Sequence, residues 1–244
     1  MSASTWFFDP LLPLHYELIV VDPPWDFGLY SEKGNAKSAQ RQYPCMMDHE
    51  ILALPVGSLA SMNCLLYLWA TAPQLPLAID CVKAWGFKYK SFLVWRKRTA
   101  KGKERMGTGY RVRTTGEIVV VGAIGNPRQS WVPRTVFDGV VREHSRKPDE
   151  FYAICDRVMP HARRADVFAR EQRPGWHAFG NETTKFNTEK AACEMARPAP
   201  TLSSIPAEPQ GLLIALPEVQ ASGTGHGALS RKTMARRMRN LQRT

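Results

Sequence analysis

A chain of 244 residues with 33 Lys and Arg against 22 Asp and Glu carries a formal net charge of +11 and has an isoelectric point near 9.6. That length suits one α/β domain with a tail, and the clustered positive excess points to a polyanionic partner. Five cysteines (Cys45, Cys64, Cys81, Cys155, Cys193) without paired spacing argue against a disulfide framework, and six histidines lack the spacing of a zinc site. No apolar run reaches the roughly 18 residues of a membrane span, and Met1–Thr5 lacks the basic start of an export signal. A cytoplasmic protein without metal or membrane is expected.

Along the chain, apolar β-rich runs alternate with helical patterns, the signature of a mostly parallel sheet wrapped by helices. The first strand is Leu18–Val21, apolar without alternation, as a strand buried on both faces requires. Asp22-Pro23-Pro24-Trp25 follows at once, and two prolines end a strand because neither donates to the ladder. The motif therefore forms a rigid rim at the strand's carboxyl end, where open α/β sheets bind ligands. Its carboxylate, carbonyl and indole suit an amino group on a flat ring. The exocyclic nitrogen of adenine is a poor nucleophile while its lone pair is delocalised into the ring. Asp22 and the Pro23 carbonyl can each accept one of its hydrogens, which frees the lone pair to face an electrophilic methyl. Such fixed orientation of two reactants is worth roughly 7–11 kcal/mol of barrier. Trp25 is expected to stack on the base, at about 1–3 kcal/mol. The plainer reading makes the prolines a simple strand end and Trp25 a core side chain.

A long polar connection, Gly28 to Met46, leaves this rim and has the length of a lid or substrate clamp. Further strands are expected at Cys64–Trp69, Ser91–Trp95, Ile118–Gly122 and Asp166–Arg170. Helices are expected at Pro73–Trp85, closed by Gly86, and from Lys147 or Pro148 to Val158. A second long connection, Arg96 to Arg113, sets Arg96, Lys97, Arg98, Lys101, Lys103, Arg105, Arg111 and Arg113 against one acid, Glu104. Such an imbalance fits contact with a phosphate backbone; the alternative is a solvated charged loop. Composition divides the chain into a catalytic domain over 1–186, a Pro/Ala/Ser/Gly-rich linker over 187–230 and a basic tail over 231–244. In the tail, Met234, Met238 and Leu241 fall at helical spacing among basic residues.

These motifs, in this order, resemble the adenine-amino methyltransferases typified by the seventy-kilodalton catalytic subunit of the mRNA adenosine methyltransferase, a family that includes bacterial and phage DNA-modifying members. The resemblance covers Leu18 to Glu182 and rests on Asp22-Pro23-Pro24-Trp25, Tyr43-Pro44-Cys45-Met46, Leu66-Tyr67-Leu68-Trp69, Gly116-Glu117, Arg146-Lys147-Pro148-Asp149-Glu150, Val167-Phe168-Ala169-Arg170, Trp176 and Gly180-Asn181-Glu182. It implies a Rossmann-like, S-adenosylmethionine-dependent methyltransferase fold with permuted motif order. It also implies Asp22, Pro23, Pro24 and Trp25 as catalytic residues, with Tyr43 packing the base. Lys147 is implied at the carboxylate of the donor, and Arg170, Asn181 and Glu182 at its ribose and amino-acid portion. Phe8 and Asp9 are implied at the donor's adenine. The family's His before Lys-Pro-Asp-Glu is Arg146 here, and the segment from Arg170 to Trp176 is shorter than the family's. Glu117 receives no role beyond a paired acid or an orienting group.

The function expected is methylation of the N6 amino group of adenine in DNA, with Arg96, Lys97, Arg98, Lys101 and Lys103 on the phosphate backbone. The same reaction on RNA is the alternative substrate, and a silent nucleic-acid-binding subunit of a complex is the alternative class. Both a monomer and a homodimer are compatible with the sequence.

Overall fold

The computed structural model describes residues 6–26, 45–107, 109, 111–143 and 145–187. Seven strands form one sheet: β1 (Tyr16–Val21), β2 (Ala60–Ala70), β3 (Lys88–Arg98), β4 (Gly116–Ile124), β5 (Val136–Val140), β6 (Arg164–Val167) and β7 (Trp176–Phe179). Their spatial order is β5-β3-β4-β2-β1-β6-β7. β4 runs antiparallel to β2 and β3, and every other neighbouring pair is parallel. The described helices are α1 (Asp48–Leu52), α2 (Leu75–Ala84) and α3 (Asp149–Val158).

The sheet buries both faces, which is why its central strands are apolar without alternation. On one face Ile19, Val21, Leu66 and Leu68 pack with Ala78, Cys81 and Val82 of α2. On the other, Leu18, Val20, Leu65, Tyr67 and Trp69 meet Phe151, Tyr152, Cys155 and Val158 of α3. The result is the expected α/β fold, wound on both faces of a mostly parallel sheet. β1 lies between β2 and β6, and chain connections leave it in opposite directions. This is the crevice in which open sheets bind ligands. The Asp22 N–H still donates to the Val167 carbonyl at 3.1 Å, and Pro23 and Pro24 then end the pairing.

α3 begins where Pro148, in extended conformation, caps it, and Pro148 sits against Gly139 of β5. A Cβ on Gly139 would meet Pro148 Cβ at 2.7 Å and Trp95 Nε1 at 2.7 Å, so the absent side chain lets β5 pass beneath the start of α3. The Trp95 indole N–H donates to the Gly139 carbonyl at 2.8 Å and closes the same corner. Lys147, one residue before the cap, is thereby fixed in place.

Several expectations need correction. The strand expected at Ser91–Trp95 continues to Arg98, so Arg96, Lys97 and Arg98 lie on β3 rather than in a loop. They also meet acids distant in sequence: Arg96 and Arg98 share Asp138 of β5 at 2.6 and 2.7 Å, and Lys97 reaches Glu117 of β4 at 2.5 Å. The strand expected at Asp166–Arg170 ends at Val167, because Phe168 turns into left-handed backbone at φ 64°. β5, β7 and α1 were not among the expected elements. Tyr43, nearly all of the Gly28–Met46 connection, and the linker and tail beyond residue 187 lie outside the described residues. No helix among the described residues is long and apolar enough to cross a membrane.

Candidate active site

At the carboxyl end of β1 a line of alternating charges crosses the sheet. Asp22 Oδ2 meets Lys147 Nζ at 3.1 Å, Lys147 meets Glu117 Oε2 at 3.2 Å, and Glu117 Oε1 meets Lys97 at 2.5 Å. Two indoles floor the line: Lys147 Nζ lies 4.9 Å from the ring centre of Trp69, and Lys97 Nζ 4.9 Å from that of Trp95. Burial weighs against every charge here and the pairing works against burial. For Asp22 burial prevails over the attraction of Lys147, and its carboxyl is raised above the ordinary range. For Glu117 burial is outweighed by Lys147 and Lys97 together, and its pKa falls to about 2. For Lys147 burial is likewise outweighed, by Asp22 and Glu117, so the ammonium stays charged. Two of the three N–H donors of Lys147 are thereby committed to Asp22 and Glu117.

The motif residues have separate geometric roles. The Pro23 carbonyl accepts the Trp25 N–H at 2.8 Å and keeps a second lone pair. The Pro24 carbonyl accepts the Met46 N–H at 3.0 Å, which ties the rim to the segment leading into α1. Trp25 is 4% exposed, packs in the core and donates its indole N–H to the Trp69 carbonyl at 3.1 Å. The structure thus differs from the expected stacking role of Trp25: the side chain is buried in the core, outside the cavity lining, and its indole anchors the rim.

A cavity of about 300 Å³ opens on this rim, lined by Asp22, Pro23, Pro24, Cys45, Met46, Ser145, Phe168, Ala169, Arg170, Asn181 and Glu182. It brings Asp22 and Pro23, implied as catalytic, together with three of the residues implied for the donor, Arg170, Asn181 and Glu182. Arg170 pairs with Glu182 at 2.7 Å across its wall. Ser145 and Phe168, both in the lining, take left-handed backbone, at φ 65° and 64°. Non-glycine residues held this way cost about 1–3 kcal/mol each and concentrate at ligand sites. Phe8 is fully buried beneath Phe179, at 5.2 Å between ring centres, while Asp9 is exposed. Phe8 therefore supports the end of β7 from below. Arg146, which stands where the family has His, makes a bidentate pair with Glu171 at 2.9 and 3.0 Å. That pair ties the loop before Lys147 to the shortened Arg170–Trp176 turn.

The MT-A70 family model matches residues 16–182, a span that contains both the rim and the cavity. The chain belongs to the MT-A70 family. Its relatives include an Arabidopsis thaliana N(6)-adenosine-methyltransferase MT-A70-like protein, 34% identical over 172 residues, covering 68% of this chain and 24% of the relative. The Mycoplasma type II methyltransferase M.MunI is 31% identical over 196 residues, covering 71% of this chain and 80% of that protein. Human METTL3, an N(6)-adenosine-methyltransferase catalytic subunit, is 28% identical over 173 residues, covering 68% of this chain and 28% of the subunit. This chain thus spans about a quarter of the plant and human relatives and most of the bacterial one.

MT-A70 methyltransferases use S-adenosylmethionine, and the cavity offers groups of the right chemistry for it. Asn181 and Glu182 are polar partners for hydroxyl and amino groups, Arg170 supplies a cation and Phe168 gives an apolar wall; Lys147 lies outside this lining, in a smaller void that shares Asp22, Ser145 and Arg170 with the cavity. Among the described residues no cluster of three or more His, Cys, Asp or Glu could hold a metal ion. Sequence reasoning missed Ser145 in the cavity and gave Phe168 no role of its own within its motif, because backbone handedness leaves no mark in residue type. It also left Glu117 without a place, since its two lysine partners lie 20 and 30 residues away.

Proposed function

We propose that this MT-A70 protein transfers the methyl group of S-adenosylmethionine to the N6 amino group of adenine in DNA. The observation that carries the reading is one carboxylate and one carbonyl with a spare lone pair, Asp22 and Pro23, at the mouth of a cavity that also holds Arg170, Asn181 and Glu182. When bound, the donor supplies a sulfonium-activated methyl. Lys147 holds Asp22 Oδ2, which leaves Oδ1 to accept one amine hydrogen, and the Pro23 carbonyl accepts the other. With both hydrogens held, the nitrogen lone pair is directed at the methyl carbon, and the anchored Trp25 keeps the rim from yielding. DNA is favoured because M.MunI, a type II methyltransferase, is covered over 80% of its length.

Nucleic-acid contact falls on the exposed turn after β3. Asp138 already neutralises part of Arg96 and Arg98, whereas Lys101, Lys103, Arg105 and Arg113 are exposed beside the site end of β3 and β4. Neutralising these four together is expected to lower the slope of log affinity against log salt by up to about 3–4, at roughly 0.9 per phosphate contact. Neutralising Arg96 and Arg98 should lower it by no more than about one. Filter binding across a salt series reads both, and equal slopes in the two variants would return the turn to a solvated surface.

RNA is the second reading, favoured by the names of the plant and human relatives as adenosine methyltransferases. Incubation with radiolabelled S-adenosylmethionine and matched duplex DNA, single-stranded DNA and RNA, followed by nucleoside digestion and mass spectrometry, separates the two. Label in methyldeoxyadenosine supports DNA, label in methyladenosine supports RNA, and none from any polymer despite donor binding supports a silent subunit.

A further inference from the structure

Behind the catalytic rim stands a buried carboxylate that the reaction as drawn leaves unused. Asp166 of β6 is 3% exposed and accepts the Tyr152 hydroxyl hydrogen at 2.7 Å. In the parallel register Asp166 lies beside Val20. Asp22, two residues beyond Val20, continues the same face of β1, so the carboxylates of Asp22 and Asp166 approach each other across neighbouring strands. Both line a void of about 20 Å³ together with Lys147, Tyr152 and Arg170. One water needs roughly 10–15 Å³ and two to four polar partners, which this lining provides.

We propose that Asp166 receives the proton released on methyl transfer, passed from Asp22 through a water held in this void. The inference rests on the proposed reaction. In that reaction the nitrogen lone pair forms the N–C bond as the C–S bond breaks and its electron pair leaves with sulfur. The nitrogen then carries a positive charge and both hydrogens. One proton passes to Asp22, from Asp22 to the water, and from the water to Asp166; the amine is left neutral and Asp166 uncharged. When product leaves, the proton returns along the same groups to solvent. Asp22 alone is a poor store, because its Oδ2 is engaged by Lys147 and a protonated Asp22 would loosen that pair.

The groups facing Asp166 set its proton affinity. Burial raises it, Tyr152 and Arg173 lower it, the charge of Asp22 raises it and Lys147 lowers it, with a net value of about 7. Arg173, with its guanidinium carbon 3.8 Å from the Tyr152 ring centre, lines the same void as Asp166. A carboxylate balanced near neutrality can take a proton and return it.

The test is the pH dependence of single-turnover methyl transfer, with the wild-type protein as the control that the reaction occurs. If the wild type transfers no methyl group, the proposed function fails before this inference is reached. Asp166→Asn keeps an acceptor for Tyr152 and removes the titration. Its rate is expected to fall at least about tenfold at pH 8, below the roughly 10²–10⁴ of a direct general base because Asp166 acts through Asp22. Its rise with pH should move from near 7 toward lower pH, since Asp22 also loses a like-charged neighbour. Tyr152→Phe removes a hydrogen bond that favours the charged form, so its midpoint should move above that of the wild type. A second readout needs no activity. Asp166 binds its proton more tightly folded than unfolded, so the stability it contributes is full below about pH 4 and lost as pH rises through about 7. Asp166→Asn should flatten that decline in thermal unfolding of the free protein. Opposite midpoint shifts in the two variants support the proton path; a uniform loss of rate in both with the wild-type midpoint retained overturns it.

Discussion

Asp22→Ala is expected to reduce the single-turnover rate of methyl transfer by about 10²–10³, the range for loss of one preorganised partner at a reacting atom. The affinity for S-adenosylmethionine should change little, because the proposed reaction sets Asp22 on the acceptor amine and Arg170, Asn181 and Glu182, which share the cavity lining with it, on the donor. Asp22→Asn should lose less than Asp22→Ala, since its amide oxygen can still accept one hydrogen, although it no longer pairs with Lys147. Acidification should mimic the substitution in the wild type. Burial raises the Asp22 carboxyl above the ordinary range, so it takes up a proton, and stops accepting the amine hydrogen, at higher pH than a surface aspartate would. Calorimetric donor binding and quenched-flow transfer on the same samples separate the two effects. A loss of donor affinity with the rate retained would place Asp22 on the donor instead.

The parts of this site that were legible in the sequence are those where residue type dictates backbone. Leu18–Val21, short, rich in β-branched residues and apolar without alternation, reads as a doubly buried strand, and Pro23-Pro24 ends it, so the rim and its carboxylate follow. Pro148 likewise marks the start of α3, and Lys147 its approach. What could not be read depends on pairing across the sheet. Ile118–Val121 reads the same in either direction, so nothing local shows that β4 is antiparallel. β5 contains Asp138 and Gly139, both poor in strands, and is an edge strand held by β3 on one side. The charges of Arg96, Lys97 and Arg98 looked unbalanced because Glu117 and Asp138 lie on other strands. Trp25 looked like a stacking platform because an indole beside a carboxylate suits a base, and only the Trp69 carbonyl beneath it shows otherwise. The family pattern supplied the place of Asn181 and Glu182, which composition alone could not.

Removing Lys147 should harm the fold as well as the reaction, and the pH dependence shows why. In Lys147→Met, Asp22 and Glu117 would lose the cation between them, and breaking one side of a buried pair costs roughly 3–5 kcal/mol. At about 2–4 °C per kcal/mol for a domain of this size, the melting temperature should fall on the order of 10 °C near neutral pH. Glu117 has a folded pKa of about 2 against 4.5 unfolded, so the stability it contributes, about 3 kcal/mol, is present above about pH 4.5 and lost as pH falls through about 2. That lowering comes from Lys147 and Lys97, each through its charge and its hydrogen bond. The variant's Glu117 should therefore titrate higher, and the stability gap between wild type and variant should narrow as pH falls from about 5 toward 2. Lys147→Arg keeps the charge and should retain most of the stability, but its planar fork cannot reproduce a point charge set between two carboxylates and over Trp69, so transfer should still slow. Denaturant unfolding of the three proteins across this pH range gives the test. A gap of constant size would mean that Lys147 stabilises through the packing of its methylene stem, and the line of charge from Asp22 to Lys97 would then have no energetic part in holding the Asp22 carboxylate.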